Sequence, residues 1–154
     1  MPCDEYVMID IDAAHIRRPL LAALYTDAMV LADDTRAYIG DLSEHDDAMA
    51  DPFARVLLAC EQLRMTTRLM TVLAWLLAWR AVDAGEMDGA HLPRLDPAPS
   101  SDLAAIEGVS DEARTLIEDG IALYRRAAFL DAALAAAPAP SPALAMQRRL
   151  AAAL

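Results

Sequence analysis

One uninterrupted stretch limits the folds open to this chain, because residues 53–84 contain neither proline nor glycine. Asp51 followed by Pro52 is a helix-start signal, since an aspartate side chain caps the first turn and proline is tolerated at the first helical position. The stretch therefore predicts one helix of about 34 residues, about 50 Å long at 1.5 Å per residue. In a chain of 154 residues, a rod of this length favours a single all-α domain.

The composition supports helix and removes several classes of function. Hydrophobic residues make up 56% of the chain but aromatic residues only 5%, and the many alanines favour helix over strand. The 13 basic residues are all arginine, so a lysine Schiff base and a P-loop are excluded. The 24 acidic residues give a net charge of −11, which argues against nucleic acid or an anionic membrane as a partner.

Two shorter helices are predicted beside the central one. Apolar residues at three-to-four spacing indicate a first helix over Leu20–Ile39, with Pro19 in its first turn and Gly40 ending it. Ser110 caps a third helix that runs to about Ala137, where prolines stop it. We therefore expect an antiparallel three-helix bundle with a long central helix. Its parts are an N-terminal arm (1–19), the bundle (20–137) and a flexible C-terminal tail (138–154).

The cysteines and the hydropathy pattern bear on the compartment. Cys3 and Cys60 form neither a disulfide framework nor a metal-binding spacing. The first twelve residues are acidic and lack the features of a secretion signal. The most apolar stretch, Leu69–Trp79, is well short of the roughly 20 residues that span a bilayer. We expect a cytoplasmic protein outside the membrane.

Arg64 and Arg68 interrupt an apolar line of the central helix. Cys60 lies on the same line and is expected to fill core space. A buried guanidinium needs a carboxylate, because an unpaired charge out of water costs several kcal/mol. Folding both outer helices antiparallel to the central one brings Asp27 and Asp131 to the level of Arg64. We therefore predict that Arg64 and Arg68 form structural ion pairs with these two aspartates.

The opposite line of the central helix carries Leu69, Leu73 and Leu76 before Arg80. A helix that is apolar all round must be covered all round. With two sides taken by the outer helices, these residues are predicted to form a partner or dimer interface. Three covers remain open for them, namely the 86–109 linker, a second subunit and another protein.

No residue pattern predicts a catalytic, cofactor or metal site. His45 lies among acidic residues that could hold a divalent ion, but such a run between helices is more typical of a solvated loop. His15 and His91 lie in predicted loops with no partner fixed by spacing. We therefore expect no enzyme activity and no cofactor; a bundle enzyme or ligand carrier with an internal pocket is the third alternative.

The three helical segments together resemble a known family. They read LYTDAMVLADDTRAYI, DPFARVLLACEQLRMTTRLMTVLAWLLAWRAVDAGE and ARTLIEDGIALYRRAAFLDAAL, and are similar to the RcdA-like family of alphaproteobacteria, named as regulators of CtrA degradation. The resemblance runs from about Leu20 to Leu134 and is most specific between Arg64 and Arg80.

The resemblance implies a three-helix bundle, commonly dimeric, that acts as an adaptor for the ClpXP protease in cell-cycle-regulated proteolysis. Such an adaptor joins a protease primed by a response-regulator protein and delivers cargo, so the implied partners are the unfoldase, a response regulator and the cargo. The alternative is a structural or sequestering homodimeric bundle without a link to a protease.

Overall fold

The computed structural model describes residues 8–44, 51–89, 92–101 and 109–136. These residues form three helices and no strand: α1 (Met8–Glu44), α2 (Pro52–Asp83) and α3 (Asp111–Ala136). The all-α three-helix fold that the sequence predicts is confirmed. The predicted N-terminal arm lies partly, and the tail (138–154) wholly, outside the described residues.

The starts of α2 and α3 follow the predicted capping chemistry. The side chain of Asp51 accepts a hydrogen bond from the Phe53 amide at 3.0 Å, and Ser110 Oγ accepts one from the Ala113 amide at 3.2 Å. Each cap satisfies a donor that the first turn of a helix leaves free. The end of α2 is also as predicted, because Gly85 follows the last turn with a φ of 75°, a conformation that glycine adopts without strain.

The first helix is much longer than predicted. It begins at Met8 and not at Leu20, and it continues through Gly40 to Glu44. Proline inside a helix removes a backbone hydrogen bond, yet Pro19 is tolerated in α1. Contacts next to it offset this cost: Arg17 binds Asp83 at 2.7 Å, and its guanidinium lies 4.8 Å from the centre of a Trp79 ring. Tertiary contacts here override the local sequence signal.

The direction of α3 is a second correction. A Cβ placed on Gly120 would lie 3.5 Å from Met65, and ten residues further along α2 the Trp75 indole binds Asp131. Residue numbers therefore rise together on the two helices, so α3 runs parallel to α2 and antiparallel to α1. The long connection between them makes this possible, because its described residues 92–101 run back along α2 toward the beginning of α3.

The core lies on the shared axis of the three helices, and every pair of helices is in contact. The line of α3 from Ala113 to Asp131 faces the core and is buried. The expectation that Cys60 fills core space is wrong, because Cys60 is exposed. The main buried side chains are Leu21, Leu24, Ala28, Leu31, Met65, Leu69, Val72, Trp75, Leu76, Ile117, Leu123, Tyr124 and Ala127.

Candidate interaction surface

The leucines predicted to form an interface belong to the core instead. Leu69 is 5% exposed and Leu76 1% exposed, and Leu73 is half-buried and packs on the core. Arg80 is exposed, with its guanidinium 5.0 Å from the centre of the Tyr25 ring on α1. This line fails as a free interface because it faces the core, where it packs with buried residues of α1 and α3.

A different face of α2 is uncovered in the part of the chain that the structure describes. Its large apolar side chains are more than half exposed, from 51% to 69%, and the smaller residues between them are exposed too. All of them lie at alternating three- and four-residue spacing on the side of α2 that faces away from the core. We call this face the outer stripe; it consists of Phe53, Val56, Cys60, Leu63, Thr67, Met70, Ala74 and Leu77.

The outer stripe has the pattern by which one helix packs against another. Apolar residues at three-to-four spacing form the seam of a coiled coil, in which each side chain inserts between residues of the facing helix. From Phe53 to Leu77 the seam is about 36 Å long at 1.5 Å per residue. Exposed apolar surface of this extent on a soluble protein marks an interaction site.

One edge of the outer stripe is formed by residues 92–101, which we call the strap. The strap has no regular secondary structure and runs antiparallel to α2. Arg68 donates to the Pro99 carbonyl oxygen and to Ser101 Oγ, both at 2.6 Å. Ser101 in turn donates to Glu61 at 2.5 Å. Burial lowers the pKa of the Arg68 guanidinium, and the carboxylate of Glu61 partly offsets this effect.

The other end of the strap is held by α3. Asp131 accepts hydrogen bonds from Arg94 Nε at 2.9 Å and from the Leu95 amide at 3.4 Å, and Tyr124 donates its hydroxyl hydrogen to the Asp96 carbonyl oxygen. Burial raises the pKa of the Tyr124 hydroxyl, and the negative charges of Asp96 and Asp131 raise it further. Buried polar side chains of two helices therefore fix the path of an irregular segment.

The predicted ion pairs do not form. Arg64 binds Glu61 one turn earlier on α2, Arg68 binds the strap, and Asp27 binds Arg126 of α3 at 2.8 Å. Asp131 lies at the level of Trp75. The prediction fails because it assumed that α3 runs antiparallel to α2, whereas the parallel direction moves Asp131 about two turns away from Arg68.

A groove of about 420 Å³ separates the strap from the outer stripe. Met70 and Ala74 form its α2 wall together with two neighbours, while Arg94 and Asp96 lie on the strap side. Arg94 remains 60% exposed despite its ion pair with Asp131. The groove widens the apolar surface at the middle of the stripe and places a positive charge beside it.

Other kinds of site find little support in the described residues. There, no group of three or more His, Cys, Asp or Glu side chains is placed to hold a metal ion. His15 is exposed on α1, whereas His45 and His91 lie outside the described ranges. None of the helices described is both long and apolar enough to cross a membrane.

Comparison with known proteins assigns this chain to a family. A family described as "Protein of unknown function (DUF1465)" matches residues 13–154. The chain belongs to this family. DUF1465 is the RcdA-like family, so the resemblance seen in the sequence is confirmed.

The DUF1465 chain is also similar to a solved structure. The crystal structure of RcdA from Caulobacter crescentus CB15 is 29% identical in sequence, with a TM-score of 0.58, over 73% of this chain and 88% of that chain. No curated protein matches the chain.

Sequence reasoning missed the outer stripe, although its spacing is visible in the sequence. Because α2 is apolar on nearly every side, periodicity alone does not show which line faces solvent. The informative residue is Glu61, a glutamate on an apolar helix, which is only 3% exposed because it meets Arg64 and Ser101. Locating Glu61 on the covered side would have turned the predicted interface toward Leu63 and Met70.

Proposed function

We propose that this DUF1465 protein is a non-enzymatic adaptor that brings other proteins to a ClpXP-type protease. The observation that carries the proposal is the outer stripe, a long apolar face that has no cover among the described residues. Family membership and the likeness to RcdA support a regulatory role in proteolysis. A rigid bundle presenting such a face suits the holding of another polypeptide.

The proposal includes the setting and the partners of the adaptor. The chain acts in the cytoplasm, in cell-cycle-regulated proteolysis, and contacts the protease unfoldase, a response-regulator-type protein and cargo. The buried residues stabilise the bundle, and the exposed α2 face supplies contact area for one of these partners. Neither a cofactor nor a metal takes part in this role.

A reconstituted degradation assay tests the proposal. ClpX, ClpP, a single-domain response regulator and a candidate cargo are combined with and without the chain, and the loss of cargo is followed over time. We expect the chain to accelerate degradation and Leu63→Asp to abolish the acceleration. Phe129→Asp is the matched control, because Phe129 is 77% exposed on α3, away from the outer stripe. Equal rates with and without the chain, with every component active, would reject the adaptor role.

A structural or sequestering homodimer is the second candidate function. It is favoured by exposed apolar side chains on α1 and α3, such as Val30 at 55% and Phe129 at 77%, which a second copy would cover. Sedimentation velocity at several concentrations measures this self-association directly. A dimer with no effect on degradation would favour this candidate over the adaptor.

A further inference from the structure

The charge on α2 differs in sign from the charge on the rest of the chain. The helix carries four arginines against Glu61 and Asp83, whereas the whole chain has a net charge of −11. Of these charged side chains, Glu61 and Arg68 are buried and Asp83 binds Arg17 and Arg18, so those that retain clear exposure on α2 are arginines, with Arg64 paired to Glu61. At physiological salt, charges beyond about 8 Å are largely screened, so a molecule docked on α2 responds mainly to this local positive charge.

The arginines lie where a docked helix would meet them. In a coiled coil, the positions flanking the apolar seam pair with charges on the facing helix. On α2 the charged flanking residues are Arg64 on the strap side and Arg80 on the α1 side, both of which retain exposure. Arg94 adds a third guanidinium across the groove. The strap also contributes one carboxylate, Asp96, to the lining of the groove.

A second copy of α2 fits this face poorly. An antiparallel copy that matches the two ends of the stripe places the Arg64 residues of both chains side by side, where like charges repel. A parallel copy instead faces Thr67 with Thr67 and Ala74 with Ala74, which leaves the seam underfilled. Self-pairing through α2 is therefore opposed either by charge or by packing.

The segments of this chain outside the described residues also fit poorly. Residues 1–7, 45–50 and 102–108 are each too short to cover a stripe that extends from 53 to 77. Residues 137–154 are longer, but their charged residues are Arg148 and Arg149, with no aspartate or glutamate. That segment would add positive charge to a face that is already positive.

We propose that the outer stripe is the docking site for an amphipathic helix of another protein, whose apolar seam is flanked by aspartate and glutamate. The apolar side chains provide the contact area, and Arg64, Arg80 and Arg94 select the charge of the partner. This proposal rests on the adaptor function and adds the chemistry of the partner. It assigns recognition to α2 and not to the acidic surface that dominates the rest of the chain.

Two matched synthetic peptides test the proposal with the full-length chain. Both have 25 residues and leucine at every seam position; one has glutamate and the other lysine at the flanking positions, so each repels copies of itself. Binding is measured by fluorescence anisotropy. We expect the glutamate peptide to bind about tenfold or more tightly than the lysine peptide, and this ratio to shrink as salt rises from about 0.05 to 0.5 M.

Variants locate the binding on the stripe. Leu63→Asp and Met70→Asp each should weaken the glutamate peptide by about tenfold or more, while Phe129→Asp leaves it unchanged. Replacing both Arg64 and Arg80 by glutamine should bring the two peptides to within about threefold of each other. Circular dichroism and thermal melts check that the variants remain folded.

Several results would overturn the proposal. These are equal affinity for both peptides, no binding of either, or unchanged binding after Leu63→Asp. A wild-type dimer that Leu63→Asp converts to a monomer would assign the stripe to a second copy. If the glutamate peptide binds the full-length Leu150→Asp variant but not the wild type, the stripe is assigned to residues 137–154 of this chain. If the wild-type chain accelerates degradation but binds neither peptide, this proposal is rejected and the adaptor function stands.

Discussion

Trp75 Nε1 donates a hydrogen bond to Asp131 Oδ1 at 3.1 Å, and this bond joins α2 to α3. The second carboxylate oxygen of Asp131 binds Arg94 and the Leu95 amide. One buried carboxylate thus connects both helices and the strap. Its contacts also establish that α3 runs parallel to α2, which fixes the course of the connection between them.

Asp131→Ala should destabilise the bundle by about 2 to 4 kcal/mol, because it leaves the buried indole N–H of Trp75 and the Leu95 amide without an acceptor. Chemical unfolding in urea measures the loss. Asp27→Ala is the matched control, since Asp27 also pairs with an arginine but is about half exposed, and it should cost at most about 1 kcal/mol. Similar losses for the two variants would contradict the central position given to Asp131.

Arg68→Leu should destabilise the fold by about 3 to 5 kcal/mol, because it frees two strap acceptors and leaves Glu61 buried with less compensation. Arg64→Leu should lower the stability clearly less, since the Arg64 side chain is 41% exposed. Glu61 also keeps its hydrogen bond from Ser101 and its attraction to the charge of Arg68. The double variant Glu61→Gln with Arg68→Met should cost less than the sum of its two single changes. Urea unfolding of each variant, and of the single changes Glu61→Gln and Arg68→Met, checks these expectations, and strict additivity of those two changes would disprove the coupling.

Gly120→Ala should leave the stability unchanged or raise it by up to about 1 kcal/mol. The added Cβ would meet Met65 at 3.5 Å, an ordinary contact distance, and alanine favours helix over glycine by about 1 kcal/mol. Gly120→Leu, in contrast, should lower the melting temperature, because its larger side chain would overpack the α2–α3 contact. Thermal denaturation of the two variants distinguishes a tolerant contact from one that requires glycine.

The Tyr124 hydroxyl should make stability depend on alkaline pH. Its pKa in the folded state is raised above the ordinary value of 10.0 by burial and by nearby carboxylates. Its stabilising effect is therefore fully present below pH about 10 and is lost as the pH rises through the higher folded-state pKa. Urea unfolding between pH 8 and pH 11.5 should show this loss in the wild type and a smaller loss in Tyr124→Phe. Parallel curves would mean that Tyr124 ionises as it does in water.

The sequence predicted the features that depend on neighbours along the chain. The caps at Asp51 and Ser110 and the length of α2 follow from local chemistry, and they are confirmed. The beginning of α1 was wrong because Pro19 is a strong local signal that contacts from Arg17 override. No local pattern near residue 19 reports those contacts.

The ion pairs and the exposed face of α2 depend on how the helices are arranged in space. The prediction assumed that neighbouring helices alternate in direction, which is the usual result of short connections. Here the connection between α2 and α3 is long enough to return along the bundle, so Asp131 meets Trp75 and not Arg64. Because several sides of α2 are apolar, only this arrangement decides that Leu69 is buried and Leu63 is exposed.

The strap has a consequence for how this protein tolerates change in length. Surface connections generally accept insertions, because few of their atoms are tied to the rest of the fold. The strap, however, is hydrogen-bonded to Arg68 of α2 through Ser101 and to Asp131 of α3 through Arg94. One added residue would therefore displace one end of the strap from its hydrogen-bond partners. In evolution or in engineering, we therefore expect the strap to tolerate substitution of its exposed side chains but not insertion or deletion of residues, as is usual for a helix of the bundle.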